Sequence, residues 1–453
     1  MLKRIATALW GNFESRDELK KFIFLGVIFG LIIGVYWTIR PVKDSSFGSI
    51  VGGDYLPWAK MLSVIATVII VLIYGKLVDT FPRHKVFYGI VSFYAVLAAI
   101  FAWFFMDPVI GFANTVPSPD RFIGWAFYIW VESFGSLIVA LFWAITTDIT
   151  APESAKRGFP IIAMCGQIGN ILGPLFLNAG RLGTAHSGPV VAICSGLMLI
   201  IVALFFAFVN TMPKAELTGY HSGQQAKDVE GEPGLLEGLK LLITHKYLGA
   251  LFLIVGINEL VITVIDNHFK QSVFATYATE AARGTFLSQY AVWTGIIATL
   301  CVVFGVSNIQ RKLGITVSLL VTPVLVALAV VWIKFNPQSL VSAFWIMAGS
   351  KAVNYAFNAP TLKQLYIPTS KDAKYKSQAW IEMFGSRFSK GSASGVNAFR
   401  SMFKAKYGAI DGISAFLTMT TVMSFGLIGV WVFVAVFAAS AYNRAIKQNT
   451  IVC

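Results

Sequence analysis

FIFLGVIFGLIIGVYWTIRPVKDSSF, residues 22–47, sets the plan of the chain. Residues 22–39 are apolar almost without interruption, which as a helix is enough to cross the hydrocarbon core of a bilayer. The stretch then meets Arg40, Lys43 and Asp44. A charge near the bilayer centre costs roughly 2.5–3.5 kcal/mol on insertion scales, so such residues rarely face lipid and instead line a substrate or ion path. Further along, Lys351, Arg387 and Lys390 also fall inside apolar segments, as do the acids Glu132 and Glu259. Cations in excess of anions within the spans suit a polyanionic substrate.

The 453 residues are 56% hydrophobic and 13% charged, with a mean hydropathy of +0.70. That composition is foreign to an ordinary soluble domain. Apolar runs recur over almost the whole length and predict an all-α polytopic membrane protein of twelve transmembrane helices. The expected spans are 22–39, 58–75, 86–106, 122–147, 159–179, 189–210, 247–265, 285–307, 315–334, 339–358, 378–400 and 410–440. The eleventh, around SQAWIEMFGSRFSKGSASG (377–395), carries charge and many small residues and reads as a helix lining protein or water.

The net charge of +14 follows topology. With the N-terminus in the cytoplasm, basic residues such as Lys20, Lys21, Arg83, Lys85, Lys156, Arg157, Lys374 and Arg444 all fall on inner loops or ends. This is the positive-inside pattern, with both termini cytoplasmic, and no nucleic-acid partner is needed to account for it. The first 21 residues lead straight into a full-length span with no evident signal peptide, which predicts a bacterial inner-membrane protein surrounded by lipid. Cys165, Cys194 and Cys301 sit in apolar runs and Cys453 is terminal, with no metal-ligand spacing among them. The five histidines are scattered and no catalytic constellation is present, so neither metal, cofactor nor enzyme activity is expected.

One long polar stretch, KAELTGYHSGQQAKDVEGEPG (214–234), divides the chain into an expected N-terminal lobe (1–213), a cytoplasmic linker (214–246) and a C-terminal lobe (247–453). The halves resemble each other in order. Gly34, Asp44 and Phe47 align with Gly256, Asp266 and Phe269; Gly135-Ser136 aligns with Gly349-Ser350, and Gly166 with Gly385. Parallel six-helix repeats about an axis along the membrane normal are the plan of major-facilitator transporters, with substrate held between the halves. GKLVDTFPRHK (75–85) has the Gly, Asp and basic spacing of the loop between helices two and three in that fold. In it, Asp79 can pair with a neighbouring helix end.

The buried charges are the candidates for substrate binding. Arg40 and Lys43 lie one turn apart at the end of the first span, where they can grip two phosphate oxygens or snorkel to the interface. Arg387 and Lys390 are also one turn apart, among Gly385, Ser386, Ser389, Gly391 and Ser392, where small side chains admit a ligand or a neighbouring helix. Lys351, with Asn354 and Tyr355 beside it, opens a similar case. Glu132, Glu259 and Asp266 either pair with these cations or titrate to couple transport. Trp37, Trp130, Trp143, Tyr355 and Trp380 flank the charges and offer surfaces for a nucleobase, or serve as interface aromatics.

These charged segments resemble the ATP/ADP translocase family of plastids and obligate intracellular bacteria. TIRPVKDS (38–45), WVESFGSLIVALFWAITTDIT (130–150) and SKAVNYAFNAPTLKQLYIPTSKDAKYKSQAWIEMFGSRFSKGSAS (350–394) carry the likeness, in family order. The resemblance implies a nucleotide transporter, exchanging or importing a nucleoside phosphate, in which Lys43, Glu132 and Lys390 are transport residues. The family's helix-seven glutamate falls here on Val261, with Glu259 the nearest acid, and a basic residue of helix ten is Asn354. The resemblance leaves open proton-coupled import of another nucleotide such as GTP or NAD, or of another organic phosphate. A monomer is expected, binding a small-molecule nucleotide.

Overall fold

The computed structural model describes residues 13, 15–213, 240, 242–303, 306–370, 380–381, 385–448 and 450–452. For residues 71, 72, 75, 78, 79, 152, 302, 303, 306–313 and 356 the backbone alone is described. The side chains of Asp79, Arg311 and Lys312, most of the polar linker, the basic loop 371–379, residues 382–384 and Cys453 therefore lie outside the described set.

The helices run α1 (Arg16–Phe47), α2 (Leu56–Thr80), α3 (Arg83–Phe105), α4 (Phe122–Asp148), α5 (Pro152–Phe176) and α6 (Gly188–Thr211), then α7 (Lys246–Thr276), α8 (Glu280–Val303), α9 (Val306–Phe335), α10 (Leu340–Val353), α11 (Ser386–Tyr407) and α12 (Ala409–Gln448). No strand occurs among the described residues. Eight stretches among them are long and apolar enough to cross a membrane, the first, Arg16–Ile70, running through α1 and α2. Helix α10 is shorter at 14 residues, because a π-helical stretch, Asn354–Asn358, breaks its hydrogen-bond register before a last turn, Ala359–Leu365. Helix α9 is kinked at Gly314, whose φ of 76° suits only glycine.

Two helices differ from their expected limits in ways that matter for the site. Helix α1 continues through Pro41 to Phe47, so Lys43 lies inside a helix, buried, and has no route to snorkel. Helix α7 extends to Thr276, so Asp266 is also internal. Pro41 is tolerated because packed neighbours and polar side chains satisfy the freed backbone in a membrane helix.

The chain forms two compact units. The first comprises Met1–Gly52, Ile65–Asp228 and Tyr277–Trp293; the second comprises Gly53–Val64, Val229–Thr276 and Thr294–Cys453. Each unit thus includes one helical segment from the other half of the sequence, the start of α8 in the first and the start of α2 in the second.

In the first unit, α1 begins at Ser15, whose hydroxyl caps Glu18 N–H at 2.9 Å. Glu18 then accepts from Arg157 at 2.8 Å and Ser154 at 2.5 Å on α5. Beyond this tie, glycines bring the two helices to backbone contact. A Cβ on Gly30 would meet the Cys165 carbonyl oxygen at 2.9 Å, and side chains on Gly169 and Gly173 would run into the carbonyl oxygens of Gly30 and Gly34. Small residues are what allow membrane helices to pack this closely. A buried aromatic cluster of Tyr94, Phe101, Phe105, Phe127, Trp130 and Phe134 joins α3 to α4. In the second unit, α7 packs against α11 with Asn397 donating to the Thr263 carbonyl at 3.3 Å. Tyr247 donates to the Leu365 carbonyl at 2.7 Å.

Candidate functional site

In the first unit, the Lys43 ammonium donates to Glu132 of α4 and lies 3.7 Å from Asp44. It also sits 4.3 Å over the ring of Tyr128, one turn before Glu132. A desolvated ammonium gains from a carboxylate and an aromatic face together. The Lys43 side chain is 3% exposed, whereas Glu132 is 37% exposed, so the pair is dry at the cation and accessible at the carboxylate. Arg40 lies over Trp37 at 4.9 Å and Tyr36 at 5.9 Å. Tyr36 in turn fills the space left by Gly135, where any Cβ would strike its ring. Gly135 therefore makes room for this aromatic shelf.

In the second unit, Lys390 of α11 lies 3.4 Å from Glu259 of α7, with side chains 49% and 22% exposed. Arg387 is one turn earlier on the same helix, half-buried. Ser389 approaches the bare backbone of Gly256, where a Cβ would be 3.0 Å from its hydroxyl. The small residues around Lys390 thus let α11 close on α7 beside the ion pair.

Asp266 occupies a second cluster on α7. Its carboxylate meets Lys60 at 2.9 Å, Lys270 at 3.1 Å and Lys351 at 3.6 Å. Lys351 is brought to Asp266, not to Lys390. Asn354 joins neither pair; its side-chain oxygen accepts from Asn258 at 3.3 Å and Asn358 at 2.8 Å, an amide relay linking α7 to the π-helical stretch. Tyr355 projects with 45% exposure. The flanking aromatics divide: Trp130 belongs to the core cluster, Trp143 packs on Phe29 and Phe159, and Trp380 lies 6.4 Å from Phe252, leaving Trp37 beside a charged site residue.

Three residues were missed by pattern reading. Lys60 and Lys270 look like ordinary charges at helix ends, yet both are packed against Asp266; Lys270 stands four residues after Asp266, an i, i+4 pair visible in the sequence. Tyr128 stands four before Glu132, a spacing that places both on one helix face. Among the described residues no group of His, Cys, Asp or Glu is arranged to hold a metal ion.

Known proteins resemble the chain at two levels. In fold, it overlays a nucleoside transporter, NupG, with a TM-score of 0.63 at 15% identity, covering 93% of this chain and 99% of that one. It also overlays a D-xylose-proton symporter with a TM-score of 0.59 at 13% identity, covering 90% and 97%. These likenesses establish the major-facilitator type of fold. In sequence, the chain is 26% identical over 488 aligned positions to ADP,ATP carrier protein 1 of Rickettsia bellii, covering 96% of each chain. It is 25% identical to ADP,ATP carrier protein 1 of Chlamydia muridarum, covering 91% of this chain and 87% of that one. The profile of the TLC ATP/ADP transporter family matches residues 2–118 and 121–343. The chain is a multi-pass membrane protein and belongs to the TLC ATP/ADP transporter family.

Proposed function

We propose that the protein moves a nucleoside phosphate across a membrane by alternating access, as an ATP/ADP-type exchanger. The observation that carries this reading is that each compact unit holds a lysine against a glutamate, Lys43 with Glu132 and Lys390 with Glu259. A polyphosphate competes for such ammonium groups more strongly than a single carboxylate does, because it brings several charged oxygens. Substrate arrival therefore displaces each glutamate, and the empty carrier keeps its lysines neutralised. Arg40 and Arg387, each one turn from its lysine, reinforce the two phosphate contacts. Trp37 and Tyr36, already under Arg40, offer a face for the base.

The contact with Lys390 favours Glu259 as the working acid of helix seven. Val261 is fully buried and apolar, and Asp266 is engaged by three lysines. Asp266, with Lys60, Lys270 and Lys351, forms a fixed basic flank to the second-unit site. The protein works as a monomer in a bacterial inner membrane with both termini cytoplasmic, and catalyses no chemical conversion. In proteoliposomes, labelled ATP, GTP, CTP, UTP and NAD distinguish the modes. Uptake that requires internal ADP supports exchange; uptake without it that collapses with a protonophore makes Glu132 or Glu259 a proton-coupling group instead.

A further inference from the structure

Glu280 opens α8 and is buried, although Ala278 and Thr279 just before it are exposed. Its carboxylate lies within the first unit and accepts three hydrogen bonds there. Ser45 of α1 donates its hydroxyl at 2.6 Å; Ser187, which precedes α6, donates its hydroxyl at 2.9 Å and its backbone N–H at 2.8 Å. The N–H groups at a helix start have no partner in their own helix, so a carboxylate placed there is favoured by both hydrogen bonding and the helix dipole. Glu280 supplies that partner to α6 from a helix distant in sequence.

Three further hydrogen bonds involve the same stretch. Arg283 donates to the Ser49 hydroxyl at 2.9 Å and to the Tyr277 carbonyl at 2.7 Å, and Gly180 N–H donates to Thr285 at 2.9 Å. Gly284 leaves room for the two serines: a Cβ there would lie 3.1 Å from the Ser45 hydroxyl and 3.3 Å from that of Ser187. After Trp293 the rest of α8 belongs to the second unit. The start of α8 is thus held within the first unit, by hydrogen bonds to α1 and to the residue that precedes α6. Ser45, at the fastened end, is two residues from Lys43 on the same helix.

We propose that Glu280 is a releasable latch that sets the balance between the two access states of the transporter, by holding the start of α8 on Ser45 and Ser187. This rests on the transport reading above. Glu280 is a positioning residue: it acts through α1 and α8. On the proposed topology the latched end is the outer one, so the fastened latch belongs to the state closed on that side. A carrier whose binding-competent state is partly populated shows an affinity reduced by that fraction. Loosening the latch therefore raises outward competence and lowers inward competence together.

The test compares wild type, Glu280→Gln, Ser45→Ala and Gly284→Ala in proteoliposomes of known orientation, reading the half-saturating nucleotide concentration separately from outside and inside. Glutamine keeps the size of Glu280 but turns an acceptor into a donor facing donors. Gly284→Ala wedges the serines and the Glu280 carboxylate apart while leaving every charge in place. The expected result is a fall of about threefold in the external value with a rise in the internal one, in all variants that reach the membrane. A merely structural role would lower the amount of active protein and leave both values unchanged. Unchanged values, or values moving in the same direction, overturn the latch. Should Glu280→Gln fail to fold, Ser45→Ala and Gly284→Ala decide by the same criterion. If wild type itself takes up no nucleotide, the transport reading fails; if wild type transports and the opposed shift is missing, the latch alone fails.

Discussion

The two lysine–glutamate pairs use the same chemistry in different surroundings. Lys43 is 3% exposed and lies against Glu132, Asp44 and the Tyr128 ring, whereas Lys390 is 49% exposed and its contact with Glu259 is a looser 3.4 Å. A buried ammonium that loses its partner keeps an uncompensated charge in a low dielectric; an exposed one is solvated at once. The first pair is therefore a buried structural commitment, and the second a solvated contact that is easily exchanged.

The largest consequence concerns stability. Glu132→Ala leaves Lys43 with Asp44 at 3.7 Å and the Tyr128 ring, and should cost about 3 kcal/mol, seen as a lowered melting temperature in detergent. Glu259→Ala, beside a half-exposed lysine, should cost no more than ~1 kcal/mol. Equal losses would erase the distinction. Asp266→Asn sharpens it, because Asp266 belongs to the second unit but is buried, as Lys43 is, and faces Lys60, Lys270 and Lys351. Its loss should match that of Glu132→Ala at ~3 kcal/mol if burial, rather than membership of one unit, sets the effect. A small loss would show that solvent reaches the three lysines readily.

Charge-conserving changes come next. Arginine needs more room than lysine and presents a planar fork in place of a point charge. Lys43→Arg should depress uptake about tenfold more than Lys390→Arg, measured as initial rates normalised to membrane protein. Similar rates for the two would mean that the Lys43 pocket is plastic. The smallest effect is ionic. Raising salt from 0.1 to 1 M shortens the screening length from ~10 to ~3 Å, so the half-saturating nucleotide concentration should rise two- to threefold. Lys390→Gln should abolish most of that dependence, since Lys390 is the exposed lysine of the two pairs.

Much of this was legible before any coordinates. Hydropathy periodicity carried the helical membrane fold, because a run such as 22–39 has no other stable use in a chain of this composition. The partners of the charges were harder. Lys43 and Glu132 are 89 residues apart and Lys390 and Glu259 lie on α11 and α7, so their pairing depends on which helices pack together. A single sequence shows that a buried charge needs a partner, not which one. Lys60 and Lys270 carry no signal of their own in the sequence beyond the i, i+4 spacing of Lys270, and the contact of Lys351 with Asp266 joins helices 85 positions apart. Asn354 stood in line for a basic residue, and its amide relay with Asn258 and Asn358 arises from a π-helical register shift that no periodicity announces. The close packing of Gly26, Gly30 and Gly34 on Cys165, Gly169 and Gly173 emerged only with the contact of α1 on α5.

The central claim is that Lys43 and Lys390 hold the phosphates of a transported nucleotide. Its most direct test is uptake of labelled ATP into ADP-loaded proteoliposomes by wild type, Lys43→Ala and Lys390→Ala, at matched amounts of membrane-inserted protein. The account predicts saturable uptake by wild type and its loss in both variants. Normal uptake by both variants would contradict it.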